Sequence, residues 1–394
     1  MKYAHIVGWG KYVPRRVMSN DEIAEMVETS NDWIYTRTGI RQRHIAGEKE
    51  STATLAFEAA ARALAVADIS PTQVDLIIVA TSTPENSFPS TACQVQSYLG
   101  ASNAGAFDLS AACSGFVYAL DMASQAIATG SIKTAVVIGA EVMSRVLNWE
   151  DRGTCILFGD GAGAVVLQGS SVPGGVLATA LHSDGSGGNL LQLPNVYKNH
   201  KPIMGPEFTL NGADHNTISM HGRQVFRFAT QVVPEIIQEV LHKANLTPAD
   251  LDLIVPHQAN SRIIESAAKK LGVDSDLFFV NVQRVGNTSA ASIPIALCEA
   301  VEQDRLQPNN RVLFVGFGGG LTWAAALISW DARTPEEMHA LEKQMHRTRY
   351  ALARGRSRLR QIGRALGARL SRSPTPDARL RDADKNKKKE DKKR

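Results

Sequence analysis

The amino-acid sequence predicts an α/β protein in which one unit is used twice, followed by a basic extension. Three observations carry this. Short apolar runs alternate with stretches of helical spacing through residues 1–330, the pattern of an α/β fold. "ADISPTQVDLIIV" (67–79) and "ANLTPADLDLIVP" (244–256) align without a gap at an offset of 177 residues, which also places Ala119–Leu120 on Ala296–Leu297 and Gly139 on Gly316. Charge then divides the chain: residues 331–394 hold 20 Lys/Arg and 9 Asp/Glu, whereas 1–330 hold 23 and 30. The boundaries predicted are a first half at 1–174, a second at 175–330 and a basic tail at 331–394.

In chain order, the apolar runs "VDLIIVAT" (74–81), "TAVVIGA" (134–140), "GAVVLQG" (163–169), "LDLIVPH" (251–257), "RVLFVGF" (311–317) and "AAALISW" (324–330) predict strands. Helical spacing predicts helices over 53–67, 114–129, 222–243, 261–271 and 289–303. The Gly-, Pro- and Asn-rich stretch 183–221 reads as a surface excursion between the halves. In the tail, Met338, Leu341, Met345, Leu352, Leu359, Ile362 and Leu366 recur at helical steps. The closing "SPTPDARLRDADKNKKKEDKKR" has almost nothing to bury, so disorder is expected there. "FGDGAGAVVL" (158–167) imitates a dinucleotide loop, but a β-type run follows where a helix would have to begin, so that reading is rejected.

Composition excludes several classes. No apolar run approaches the ~18 residues of a membrane span, and "MKYAHIVGWGKYVP" lacks the apolar core of a secretory signal. A cytoplasmic location is expected. Four cysteines without a C-x-x-C pair argue against a disulfide framework and against a zinc site, so no metal is expected. The acidic body carries no nucleic-acid recognition motif.

Cys113, in "FDLSAACSGFVYAL" (107–120), opens a predicted helix among Ala111, Ala112, Ser114 and Gly115. A thiol there meets the positive end of the helix dipole, which is expected to lower its pKa, and small neighbours would let a carbonyl approach. An isolated cysteine is more often a small buried hydrophobe, the reading given to Cys93, Cys155 and Cys298. At the 177-residue offset Cys113 falls on Ala290, three residues from Asn287, and Ala80 falls on His257. Pseudo-symmetric halves bring such strand-end and pre-helix positions together. Cys, His and Asn would then form a nucleophile with two groups able to hydrogen-bond a carbonyl oxygen. "GFGGGLTW" (316–323) adds a turn whose N–H groups could serve an oxyanion.

Residues 1–330 resemble the β-ketoacyl-[acyl-carrier-protein] synthase III family of the thiolase superfamily. The resemblance rests on "NDWIYTRTGIRQRHI" (31–45), "FPSTACQVQSYLG" (88–100), "AACSGF", "DRGT", "FGDGAGA", "VPHQAN", "GNTSAAS" and "FGGGLTW", in that order. It implies a thiolase-like layered α-β-α-β-α fold, an obligate homodimer, and initiation of fatty-acid synthesis. Cys113 would take a short acyl group from acyl-CoA, with acetyl expected. Decarboxylation of malonyl-[acyl-carrier protein] would then supply the attacking enolate, with His257 and Asn287 on the thioester oxygen. The resemblance further implies an oxyanion hole from the N–H groups of Cys113 and Gly319. It places CoA contacts at Trp33, Arg37, Arg152, Gly153, Asn260 and Arg262, with Trp33 and Arg152 sandwiching the adenine. Acyl-carrier-protein contacts would fall on Gln258, Ala259, Asn260, Ser261 and Arg262, with Arg227, Lys269 and Lys270 extending the basic face. Phe88 matches the position capping the primer pocket from the partner subunit, and its bulk suggests a short primer. No cofactor is expected, CoA entering as a thioester substrate.

Within the superfamily, "GFGGG" lacks the second cysteine of a degradative thiolase, and Asn287 stands where elongating enzymes have a second histidine. A secondary-metabolite condensing enzyme, an inactive partner subunit and a nucleic-acid binder acting through the tail are the alternatives. The tail departs from the family, as a solvated extension or as a basic arm toward an acidic carrier or an anionic membrane.

Overall fold

The computed structural model describes residues 2–194 and 217–330. The middle of the 183–221 excursion and the whole basic extension, 331–394, lie outside the described residues.

The main strands are β1 (Tyr3–Tyr12), β2 (Leu76–Ala80), β3 (Gly105–Leu109), β4 (Thr134–Val142), β5 (Asp160–Ser170), β6 (Gly175–Ser183), β7 (Leu253–Pro256), β8 (Asn310–Gly318) and β9 (Thr322–Trp330). The helices that matter for the site are α1 (Asn31–Thr38), α2 (Thr52–Ala67), α3 (Thr91–Leu99), α4 (Gly115–Ala128), α5 (Gly222–Lys243), α6 (Ser261–Leu271) and α7 (Ser292–Glu302). The glycine-rich "FGDGAGAVVL" forms β5, as its β-type run predicts.

The first sheet has the order β1-β5-β4-β2-β3 and the second the order β6-β9-β8-β7. Strand directions also correspond. β2 and β4 are parallel, as are β7 and β8, while the remaining neighbours towards β1 and β6 are antiparallel. A parallel bridge between Ile254 and Phe278 stands where β3 pairs with β2. The 177-residue offset carries β2 onto β7, the 3₁₀ turn Pro71–Gln73 onto Pro248–Asp250, and the turn Ala112–Ser114 onto Ser289–Ala291. Both of the latter turns contain a residue at positive φ, Ala112 (46°) and Ser289 (48°).

Burial shows why five layers form. The inward residues of both sheets, such as Val137 and Phe314, pack with α4 and α7 into one core. The alternate residues face outward: Val136 and Ile138 cover α2 and α3, and Leu313 and Val315 cover α5 and α6. Strands buried on both faces must be apolar throughout, and β4 is buried along its whole length. The structure is thus a thiolase-like layered α-β-α-β-α fold.

Two glycines let the halves interlock. A Cβ on Gly139 of β4 would lie 2.1 Å from the Ala290 carbonyl oxygen, and one on Gly316 of β8 would lie 3.2 Å from that of Cys113. Each half therefore receives the other's 3₁₀ turn against a strand that has no side chain at that point.

Candidate active site

Cys113 sits in the 3₁₀ turn Ala112–Ser114, just before α4, and is 6% exposed. The turn is held by the Ser114 hydroxyl, whose single proton is shared between Ala111 O (2.8 Å) and Thr322 Oγ1 (2.6 Å). A Cβ on Gly318 would lie 2.8 Å from Cys113 N and 3.2 Å from Sγ, so only glycine leaves that N–H and the thiol open. His257 follows β7 and is 2% exposed, with its backbone N–H on Val315 O at 2.8 Å. Its ring lies edge-on to Phe317, 5.2 Å between centroids, and its buried Nδ1 has no hydrogen-bond partner. Asn287 is pinned by backbone bonds to Leu157 O and from Gly159 N, both 2.9 Å. Asn287 Oδ1 accepts the Ser289 N–H at 2.9 Å, which leaves the amide NH2 as the donor end. Cys113, His257 and Asn287 converge on one cavity of about 80 Å³, otherwise lined mainly by apolar groups such as Phe158, Phe226 and Phe317.

Electrostatics correct one expectation. The Cys113 thiol is not lowered but pushed up to about 12, chiefly by burial, against the opposing Ser289 hydrogen bond and with a lesser upward push from the Glu141 carboxylate. The 3₁₀ turn keeps it outside the first turn of α4, and desolvation outweighs the dipole. Burial also holds His257 at about 3, so its imidazole is neutral at physiological pH. Among the other cysteines, Cys155 and Cys298 are buried as expected, but Cys93 is exposed on α3.

A second cluster lies beyond the cavity mouth. On α1, Arg37 stacks over the Trp33 ring at 4.2 Å, and Arg152 stacks over the same ring at 4.9 Å while donating to Glu28 O. Gly153 N–H turns back to Asp151 Oδ1. Asn260 lines the cavity, caps α6 through the Arg262 N–H, and donates from Nδ2 to Arg37 O at 2.9 Å. Arg262 lies 5.4 Å over Phe226. The residues expected to contact CoA are thus gathered at one mouth. Ala259, Asn260, Ser261 and Arg262 are at least partly accessible. Gln258 is not: it is fully buried, donates to Pro256 O and Phe279 O, and accepts from Asn281 N and Val282 N. Its side chain therefore braces the loop after His257 and cannot touch a docked protein. Gly319 stands against Leu191 and Ala112, while Gly318 lines the cavity. Phe88 is 85% exposed and lies away from its own chain's cavity.

The profile of 3-oxoacyl-[acyl-carrier-protein (ACP)] synthase III matches residues 107–185, and that of its C-terminal region matches 241–330. A beta-ketoacyl-[acyl-carrier-protein] synthase III of Clostridium perfringens is 48% identical over 328 residues, 83% of this chain and 99% of the relative. One from Paramagnetospirillum magneticum is 51% identical over 330 residues, 82% of this chain and 98% of the relative. The chain belongs to the β-ketoacyl-[acyl-carrier-protein] synthase III family. The crystal structure of the Aquifex aeolicus synthase superposes with a TM-score of 0.77 at 46% identity, covering 83% of this chain and all of that one. As a synthase III, the protein is a condensing acyltransferase that initiates fatty-acid synthesis by joining an acyl-CoA to malonyl-[acyl-carrier protein]. Sequence reasoning missed Glu141 and Ser289 beside the thiol. The signal for Glu141 was present, as a lone carboxylate inside the otherwise apolar run "TAVVIGAEV".

Proposed function

We propose that this synthase carries its acyl group on Cys113 and takes an acetyl or similarly short primer from acyl-CoA. The convergence of Cys113, His257 and Asn287 on one narrow cavity carries this reading. Sγ attacks the thioester carbonyl, CoA leaves as the thiol, and acyl-Cys113 remains. The N–H groups of Cys113 and Gly319 stabilise the oxyanion, which needs the open space that Gly318 leaves. Malonyl-carrier protein then loses CO2. A neutral His257 ring N–H and the Asn287 amide hydrogen-bond the thioester oxygen as negative charge develops there. The enolate carbon attacks the acyl group, breaking its bond to the Cys113 sulfur, which takes up a proton to restore the thiol.

CoA enters over the Trp33 cluster. An adenine between Trp33 and Arg152 needs about 7–8 Å, twice an ordinary contact distance. The guanidinium stands 4.9 Å from the ring, so Arg152 swings aside as the nucleotide arrives while Arg37 pairs with phosphate. Gly153, Asn260 and Arg262 complete that mouth. Ala259, Asn260, Ser261 and Arg262 face the carrier protein.

The synthase acts as a homodimer in which Phe88 closes the partner's primer pocket. An unpaired outer edge on β3, with Phe107 40% exposed and Phe88 85% exposed, supports a covering second copy. The two halves are 1–174 and 175–330, and each contributes to the one site. The enzyme works in the cytoplasm, without a resident cofactor; among the described residues no helix is long and apolar enough to cross a membrane.

Incubation with acetyl-CoA followed by peptide mass spectrometry tests the reading. A gain of about 42 Da on the Cys113 peptide, one acetyl group, is expected. No adduct with any short acyl-CoA would overturn it.

A further inference from the structure

One buried carboxylate has no part in the condensation as described, yet it stands one residue away from the nucleophile. Glu141, near the end of β4, is fully buried. It is surrounded by donors: the Ser82 N–H (3.1 Å), Thr81 Oγ1 (3.2 Å), Thr83 Oγ1 (2.6 Å) and Ser289 Oγ (3.0 Å). The directions of the hydroxyl bonds are fixed by their other partners. Thr83 Oγ1 accepts from Val142 N, and Thr81 Oγ1 accepts from Thr83 N, so both hydroxyl protons are free to point at the carboxylate. Ser289 gives its own proton to Glu141 Oε1 and turns a lone pair to the Cys113 thiol, 3.5 Å away. The result is a directed chain, S–H to hydroxyl to carboxylate, enclosed by protein.

The pseudo-symmetry marks this arrangement as particular to the site. At the 177-residue offset Ser289 corresponds to Ala112, which has no hydroxyl, and Glu141 corresponds to Gly318, which has no side chain. The positive φ of Ser289 (48°) is shared by Ala112 (46°), so the turn is common to both halves, and the hydroxyl and the carboxylate facing it are what distinguish the Ser289 turn.

We propose that Ser289 and Glu141 form the proton relay of the first half-reaction; this rests on Cys113 being the acylated nucleophile. As Sγ bonds to the acyl-CoA carbonyl carbon, the thiol proton passes to Ser289 Oγ while the Ser289 proton passes to Glu141 Oε1. When the bond from that carbon to the CoA sulfur breaks, the proton returns along the same hydroxyl to the departing sulfur. Acyl-Cys113, CoA thiol and an ionised Glu141 result. Ser289 touches the reacting atom; Glu141 acts through it as a positioning residue. Burial raises the Glu141 pKa, which suits a group that must briefly hold a proton. In the second half-reaction Cys113 has no proton to lose. Its sulfur leaves as the new C–C bond forms and regains a solvent proton through Glu141 and Ser289 only afterwards, so His257 and Asn287 carry decarboxylation and attack without the relay.

That division supplies the test. Ser289→Ala removes the hydroxyl but keeps the backbone N–H that holds Asn287 Oδ1. Glu141→Gln removes the proton acceptor at nearly constant volume. For each variant, acyl-enzyme formation from acetyl-CoA is timed in a single turnover by intact-protein mass. Attack by the isolated acetyl-enzyme on malonyl-carrier protein is timed separately, with thermal melting as the control for folding. Acylation is expected to slow about 100-fold or more, with the condensation step within about threefold of wild type. Unchanged acylation, or equal slowing of both steps in a folded Ser289→Ala protein, overturns the relay. If Glu141→Gln does not fold, the Ser289→Ala result alone decides. Wild type that never acquires an acetyl group refutes the nucleophile instead, which separates the two failures.

Discussion

The buried, neutral His257 makes one separable contribution to how this synthase responds to acid. Its imidazole is fully desolvated and held at about 3, against an ordinary value of 6.5. The unfolded chain takes up a proton as pH falls through 6.5, and the native protein does not until about 3. Stability from this residue is therefore complete above pH 6.5 and is lost progressively below it. Each pH unit in that window is worth about 1.4 kcal/mol, so lowering the pH from 8 to 5 removes about 2 kcal/mol. The figure at pH 5 is nearly independent of the native pKa as long as that value lies below about 4, because the window is then set by the unfolded side. His257→Gln keeps a polar side chain of similar size and cannot titrate. Urea unfolding of both proteins at pH 8 and pH 5 isolates the residue, since every other titrating group cancels in the double difference. Wild type is expected to lose about 2 kcal/mol more than the variant. Parallel losses, within about 0.5 kcal/mol, would show that the folded protein does not hold His257 below its ordinary value and would overturn the reasoning from burial.

Three further substitutions read the surroundings. Gln258→Ala strands two carbonyls and two N–H groups in the interior. A loss of about 3 kcal/mol or more is expected in unfolding experiments, whereas the exposed Arg262→Ala should stay within about 0.5 kcal/mol. Gly318→Ala sets a methyl 2.8 Å from Cys113 N. Single-turnover acylation should then fall by about 10²–10³, the scale of losing one oxyanion donor, and wild-type acylation by that variant would remove Gly318 from the argument.

The duplication was legible because β2 with β7, and α4 with α7, keep both apolar pattern and spacing. The helices over 222–243 and 261–271 were predicted to the residue, since a long amphipathic stripe and the cap-and-glycine pair Asn260 and Gly272 bound them. β1 carried less signal: "YAHIVGWGKY" mixes His5, Lys11 and two glycines into a strand whose neighbour, not its own alternation, decides its burial. The nucleophile, histidine and asparagine could be found because each lies at a strand end or before a helix, where a sheet presents side chains. Gln258 could not. In "VPHQAN" a glutamine reads as exposed, and only the path of the chain through 279–282 supplies the four partners that bury it. The Cys113 pKa failed for the same kind of reason: the dipole is local and visible in sequence, but the apolar enclosure is assembled from both halves.

The offset that places Cys113 on Ala290 also places Gly318 on Glu141. The fold thus has two equivalent seats for a reactive side chain, and evolution has furnished them oppositely. One has a thiol with empty space above it. The other has a methyl group, with a buried acid in place of the empty space. Ala290 offers no thiol, so the paired seats carry a single acyl group, and the carboxylate that fills the second seat reaches through Ser289 to the thiol of the first.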